Sequence, residues 1–150
     1  MAQASLRLTG DKELLAELAK LGDAMARRVV RPAARKALTP ISKAMKALAP
    51  KGDTGQLKRS IGISVKASAR TGVSGLVGAR TGFKIIVDGR PVNPVKYIHL
   101  VEFGTAPHGG HPGTSARPFM RTAFHANKSK SEEILRVETW KNIKKLVKAK

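Results

Sequence analysis

The spacing of apolar residues changes once along this 150-residue chain, and that change limits the fold more than any other feature. In the first third, four apolar residues recur at spacings of four, three and four: Leu14, Leu18, Leu21 and Met25. This spacing places them on one face of a helix. From Ile61 the period becomes two, because Ile61, Ile63 and Val65 alternate with small or polar residues, as in a strand with one solvated face. The chain is therefore predicted to fold as an α+β protein.

The predicted elements follow in a simple order within one domain, residues 1–150. Helices are expected at 11–49, a sheet at 61–103, a loop at 104–116 and C-terminal helices at 117–148. About four strands should form the sheet, at 61–65, 73–77, 83–87 and 97–103, with a further short strand at 5–8. Short turns, including the favoured hairpin pair Asp88-Gly89, predict an antiparallel sheet. The N-terminal helices should pack on one face of it, followed by a C-terminal helix.

Prolines set three further expectations. Pro32 has no N–H to donate, so it should kink or interrupt the second helix. Pro40 suits the first turn of a third helix. Pro91 and Pro94 cannot sit inside a central ladder, so residues 90–94 are predicted to form a loop.

Residues 95–123 combine a short apolar segment, a glycine-rich loop and a helix that begins at a proline. The apolar segment, 97–103, is interpreted as the fourth strand, and Pro118 as the start of the helix. The loop at 104–116 holds four glycines and two prolines, so it should be mobile unless a partner orders it. A strand, a mobile loop and an anchoring helix suit a protein that works by docking onto others.

The sequence gives little indication of catalysis, of a cofactor or of a small-molecule substrate. Cysteine is absent, which excludes disulfides and cysteine-bound metals. His108 and His111 lie in the flexible loop with no acid near them in sequence, so no metal site is predicted. Glu102 is a lone carboxylate in an apolar segment, expected to pair with an arginine or to face water. An enzyme using Glu102 and a histidine is the weakest alternative. No apolar run approaches the roughly 20 residues of a membrane span.

The net charge of +19 indicates a polyanionic neighbour, either nucleic acid or an acidic protein. Lysine and arginine number 10, 9 and 10 in the three successive fifties, so the charge is not confined to a tail. Five basic residues form a stripe on the second predicted helix: Arg27, Arg28, Arg31, Arg35 and Lys36. This stripe could face DNA or an acidic subunit, or it could be a solvated helix face, and the sequence leaves both open.

Three segments occur in an order that resembles a known family. They are Ala49-Pro50, Asp53-Thr54-Gly55, Leu57 and Ser60-Ile61; then Tyr97 with Val101-Glu102-Phe103-Gly104-Thr105; then Ala116, Pro118-Phe119-Met120-Arg121 and Ala123. Together they resemble the tail-component family typified by gene product ten of phage HK97, over residues 6–128. The family belongs to the neck and tail-completion group of long-tailed bacteriophages.

The resemblance implies a structural virion protein of the head–tail junction, assembled in the host cytoplasm. Copies would form a ring, six-fold with twelve-fold as the alternative, around the channel through which genomic DNA passes. Head-closure or connector proteins would lie on one side of the ring, and the tail terminator or tube on the other. A closed ring needs a heterologous interface, in which two different patches of each copy meet.

Ten residues are predicted to lie in or under this interface or a partner contact: Tyr97, Val101, Glu102, Phe103, Gly104, Thr105, Pro118, Phe119, Met120 and Trp140. The loop at 105–115 would be an arm that becomes ordered on a neighbouring copy. Trp140, the only tryptophan, is interpreted as a packing anchor or subunit contact rather than a platform for stacking a base.

The main alternative is a small, basic protein that binds nucleic acid without sequence specificity. It rests on the charge alone, since the sequence has no motif for reading bases and its few aromatic residues do not interleave with the basic ones. Its binding should weaken steeply as the salt concentration rises.

Overall fold

The computed structural model describes residues 12–20, 22–52, 55–68 and 72–148. Within these ranges the helices are α1 (Lys12–Lys20), α2 (Asp23–Ala37), α3 (Thr39–Leu48), α4 (Gln56–Ser60), α5 (Ile98–Phe103) and α6 (Phe119–Lys148). The strands in the same ranges are β1 (Ile61–Ser68), β2 (Gly72–Ala79), β3 (Ile85–Val87) and β4 (Arg90–Val92). The α+β class is confirmed, with helices first, strands next and a long helix last. The strand predicted at 5–8 lies outside the described residues.

The N-terminal helices form at the predicted places but end differently. Gly22 separates α1 from α2 because it adopts a φ of 69°, which side-chain-bearing residues rarely reach. The expected interruption at Pro32 is wrong, since α2 continues through it to Ala37. Only Leu38 separates α2 from α3, and Pro40 lies in the first turn of α3 as predicted.

The strands form two small antiparallel sheets rather than one sheet of four. β1 and β2 pair along their full length, from Ile61 opposite Ala79 to Ser68 opposite Gly72. β3 and β4 form the hairpin that Asp88-Gly89 predicted, and both turn residues have positive φ, as a two-residue turn of this kind requires. The loop predicted at 90–94 is wrong for its first part, because residues 90–92 are β4. Pro91 is tolerated there because a two-stranded ribbon has only edge strands.

The fourth strand predicted at 97–103 is wrong, because this segment forms helix α5. A short, nearly continuous apolar run fits a buried strand and a helix equally well by periodicity. A 3₁₀ turn at Pro94–Lys96 decides the outcome, with the Asn93 side chain accepting a hydrogen bond from the Val95 N–H. The helix directs Ile98 and Val101 toward the main core, while Leu100 and Phe103 stay exposed.

The main core lies where α3, α4, the β1–β2 sheet and the start of α6 meet. Its buried members are Leu38, Ile41, Met45, Ala49, Leu57, Ile61, Val65, Val77, Phe119, Met120 and Ala123. Two smaller clusters continue along α6: Ala33, Ala37 and Leu135, and then Leu14, Val29 and Ile143. The three clusters make α6 the element against which the other helices pack.

Residues 119–148 form one 30-residue helix, where C-terminal helices were predicted at 117–148. The buried positions recur every four residues: Ser131, Leu135, Thr139 and Ile143. The Thr139 hydroxyl is satisfied within the helix, because it donates to the Leu135 carbonyl oxygen. Leu135 and Ile143 on this face pack against α2, while the apolar residues Val137 and Val147 lie outside.

Two polar contacts also join α6 to α2. The Lys36 ammonium lies 2.7 Å from a Glu138 carboxylate oxygen, and the Asn142 amide donates to the Val29 carbonyl at 3.0 Å. The hydrogen bond from Lys36 lowers the pKa of Glu138. A lowered pKa in the folded state means that this contribution to stability is present near neutral pH and is lost as the pH falls through that pKa.

Replacing Ala33 with leucine should destabilise the protein by about 1–3 kcal/mol, because this fully buried residue packs beside Leu135 and leaves no room for three more carbons. Urea unfolding measures the effect. The matched control is Ala126→Leu on the exposed side of α6, where the change should be within about 0.5 kcal/mol. Equal effects at the two positions would contradict the packing described between α2 and α6.

Candidate assembly surface

Glu102 of α5 caps the N-terminus of α6, although it lies 18 residues before Met120 in the sequence. Its side chain is fully buried, and one carboxylate oxygen accepts the Met120 N–H at 2.9 Å. The other oxygen accepts the Arg121 N–H at 3.0 Å. These amides belong to the first turn of the helix, where no earlier carbonyl can reach them, and the helix dipole favours a negative charge there. Glu102 is therefore a helix cap supplied from another element.

Arg121 continues this contact to the surface. Its Nε lies 3.4 Å from the Glu102 carboxylate, and its guanidinium carbon lies 5.0 Å from the centroid of the Phe103 ring. The expected pairing of Glu102 with an arginine is thus present within the chain. Phe103 remains about half exposed, at 53%. Arg121 of α6 and Phe103 of α5 therefore form a partly apolar surface where the two helices meet.

Gly104 turns the chain sharply at the end of α5. Its φ is 74° and its ψ is 179°, a combination that only glycine adopts readily. A Cβ at this position would lie 2.5 Å from the Thr114 carbonyl oxygen and 2.8 Å from the Ala116 amide nitrogen. The backbone of residues 114–116 therefore packs directly against this turn. The Arg117 N–H also donates to the Val101 carbonyl at 2.9 Å.

Residues 105–114, here called the arm hairpin, fold back on themselves in the single chain. Thr105 and Thr114 exchange two backbone hydrogen bonds of 3.0 and 3.1 Å, and their hydroxyls lie 3.0 Å apart. His108 and His111 exchange two more, with their rings stacked at a centroid distance of 5.9 Å. The backbone of the expected arm therefore pairs with itself, and its ordering on a neighbouring copy stays a prediction.

A groove of about 670 Å³ lies between α5 and the arm hairpin. Its apolar side is formed by Tyr97, Leu100 and Val101, and its polar side by the arm hairpin and Arg117. Leu100 is 41% exposed on the side of α5 that faces the groove. Burial raises the pKa of the Tyr97 phenol.

The ten residues predicted for the interface fall into groups of different exposure. Glu102, Phe119 and Met120 are buried in the chain itself, while Tyr97, Val101, Gly104 and Thr105 are partly buried around the groove. Phe103 and Pro118 are exposed. Trp140 is partly buried near the other end of α6, against Leu14, Val29 and Ile143. Sequence reasoning did not select Leu100, Arg117 or Arg121, because their positions at the groove depend on α5 being a helix.

The first of the three family-like segments, at 49–61, also lies beside the groove and the main core. Ala49, Leu57 and Ile61 share the main core cluster with Phe119 and Met120, and Val101 packs against that cluster. Pro50 lines the groove. The three segments therefore converge in space, within the parts of the chain that the structure describes.

The predicted basic stripe divides into paired and exposed residues. Arg27 lies 3.9 Å from the Asp23 carboxylate, and Lys36 is the partner of Glu138. Arg28, Arg31 and Arg35 are exposed along α2. These three side chains keep their charge at the surface, where a polyanion could reach them.

Two further features concern the described residues only. Across 12–20, 22–52, 55–68 and 72–148, no three histidine, aspartate or glutamate side chains are grouped so that they could hold a metal ion. In the same ranges, no helix combines the length and the apolar character needed to cross a membrane.

Comparison with known families gives one match. Residues 12–104, more than half of the chain, match the HK97-gp10-like family, whose description reads "Bacteriophage HK97-gp10, putative tail-component". No curated protein and no solved structure matches the chain significantly. The matched region runs from α1 through α5 and ends at Gly104.

Replacing Gly104 with alanine should destabilise the protein by about 3 kcal/mol or more, because the added carbon meets backbone atoms and the backbone conformation itself is strained for alanine. Thermal unfolding followed by circular dichroism measures the loss. Gly109→Ala is the matched control, since Gly109 also has positive φ but nothing lies within 4 Å of an added Cβ. A control as damaging as Gly104→Ala would contradict the close approach of residues 114–116.

Proposed function

We propose, from the premise that this chain belongs to the HK97-gp10-like family of bacteriophage tail components, that it forms a ring at the junction of the phage head and tail. Membership of the family makes the chain a structural tail component, and therefore a protein of the virion that contacts other tail or connector proteins. The position at the neck, the ring and its neighbours are the finer parts of the proposal. Six copies would surround the DNA channel, with head-closure or connector proteins above and the tail terminator or tube below. Assembly would take place in the host cytoplasm.

The observation that carries the ring proposal is the exposed apolar face of α5 beside the groove. A heterologous interface needs a second, different patch on the same chain. Ile86 suits that role, because it lies in the β3–β4 hairpin and is 72% exposed. In the proposed ring, Ile86 of one copy enters the groove beside Leu100 of the next, and Phe103 with Arg121 forms the rim.

A structural role, rather than a catalytic one, agrees with the state of Glu102. The carboxylate has no exposed surface, and both of its oxygens accept backbone hydrogen bonds. A general acid or base must reach its substrate or a water molecule. We therefore assign Glu102 to holding α5 against α6.

Nonspecific nucleic-acid binding is the second candidate, and the exposed arginines of α2 favour it. Arg28, Arg31 and Arg35 present three guanidinium groups along one helix, on a chain with a net charge of +19. In the ring proposal the same residues would face the DNA channel. The two proposals differ in whether DNA is needed for the oligomeric state.

The mass of the purified protein in solution, measured by light scattering at two salt concentrations with and without DNA, separates the two functions. The ring proposal expects a discrete oligomer of about six chain masses that forms without DNA. A monomer that binds DNA at low salt and releases it at high salt would favour the nucleic-acid function instead. A monomer that ignores DNA would contradict self-assembly and indicate that phage partners template the ring.

Two surface variants test the proposed interface. Leu100→Ser and Ile86→Ser should each abolish the oligomer, because each removes one side of the same contact. Mixing the two variants should give dimers only, since the intact Ile86 of one variant fits the intact groove of the other, and the pair cannot extend. Val147→Ser is the matched control, because Val147 is also exposed, at 65%, but lies at the end of α6. An unchanged oligomer in either variant would contradict this interface.

A further inference from the structure

The outer side of α6 exposes apolar residues that the fold does not use. Val137 is 53% and Val147 is 65% exposed, although the same helix buries the polar residues Ser131 and Thr139. Val137, Trp140, Lys144 and Val147 follow one another at spacings of three, four and three, so they lie on one face. This face, here called the outer stripe, runs along the last three turns of the helix.

Basic side chains surround the outer stripe. A groove of about 910 Å³ is lined by Val137, Trp140 and five cations, namely Arg136, Lys141, Lys144, Lys145 and Lys148. Among the residues that the structure describes, Glu13 of α1 is the one acidic residue that lines it. All five cations are exposed. Val137 and Trp140 are here called the floor of this groove, and the five cations are called its rim.

We infer that the outer stripe binds an acidic amphipathic helix of another protein. The floor offers contacts for apolar side chains repeating every three or four residues, which is how a helix presents its anchors in a groove. The rim then requires acidic residues beside those anchors, because charge complementarity steers and selects the partner. The lysine stems add further apolar contact while their charged ends remain in water.

The same charges argue against the other occupants of the groove. A second copy of α6 would bring five cations against five, which costs affinity through like-charge repulsion. Residues 1–11 of this chain carry one aspartate and one arginine, so they do not supply a negative helix. Nucleic acid would use the cations but gains nothing from exposed valines, and Trp140 is already packed against Leu14, Val29 and Ile143 rather than free to stack a base.

This inference does not depend on the ring. The outer stripe covers residues 136–148, whereas the groove beside α5 lies at the other end of α6, where Glu102 binds Met120 and Arg121. The two surfaces could therefore bind different partners at once. A ring that fails to form in isolation would leave the binding of an acidic helix unaffected.

Trp140 provides a direct measurement, because it is the only tryptophan of the chain and lies in the groove. The probe is a synthetic helical peptide without tryptophan or tyrosine, with leucines on one face and glutamates beside them. We expect its titration to shift the Trp140 emission to shorter wavelength in a saturable way. A peptide of the same composition with the leucines scattered around the helix should bind about tenfold more weakly. Equal binding of the two peptides would overturn the inference, since charge alone would then explain it.

Matched variants locate the binding on the outer stripe. Val137→Ser should weaken the amphipathic peptide about fivefold and Lys144→Glu about tenfold or more. Leu48→Ser and Lys43→Glu are the controls, because they change an apolar residue of similar exposure, at 49%, and an exposed lysine, both on α3. Circular dichroism checks that each variant is folded. Peptide binding that is unchanged in Val137→Ser would overturn the inference. If a DNA oligonucleotide binds more tightly than the amphipathic peptide, and its binding depends on Val137 and Lys144 in the same way, the outer stripe would be assigned to nucleic acid instead.

Discussion

A buried carboxylate joins the family-matched part of the chain to the helix that follows it. Both oxygens of Glu102 accept backbone amides from the first turn of α6, at 2.9 and 3.0 Å. Hydrogen bonds to a charged group are worth about 1.5–3 kcal/mol each, but burying the charge costs several kcal/mol, so the net gain in stability is small. What the contact determines is position, because any displacement of α5 from α6 leaves a buried charge and two amides unpaired.

The position of α5 in turn determines the surface proposed for assembly. With Glu102 directed inward, the helical period places Leu100 and Phe103 outward, and Gly104 then brings the arm hairpin against the same face. The groove between them exists because these two constraints act on adjacent residues. This groove lies near the N-terminal end of α6, and the outer stripe lies at its C-terminal end. One helix therefore connects a surface suited to a second copy with a surface suited to an acidic partner.

Several parts of the fold could be predicted from local signals. The start of α3 at Pro40, the alternation in β1 and the Asp88-Gly89 turn each depend on residues close in sequence. The helix at 98–103 could not be predicted, because its apolar run is too short to show a period, and the contact of Glu102 with the start of α6 joins residues 18 positions apart. The buried face of α6 could not be predicted either. It includes the small polar residues Ser131 and Thr139, while the apolar Val137 and Val147 are exposed, which hydrophobicity along the sequence does not reveal.

Amide hydrogen exchange at Met120 and Arg121, followed by NMR in the wild type and in Glu102→Gln, tests the central contact most directly. Glutamine keeps the shape of the side chain but replaces one accepting oxygen with a donor. The account predicts that exchange at one or both amides accelerates about tenfold or more, while Glu133→Gln, an exposed change on the same helix, leaves both unchanged. Unaltered protection of both amides in Glu102→Gln would contradict the role assigned to this carboxylate.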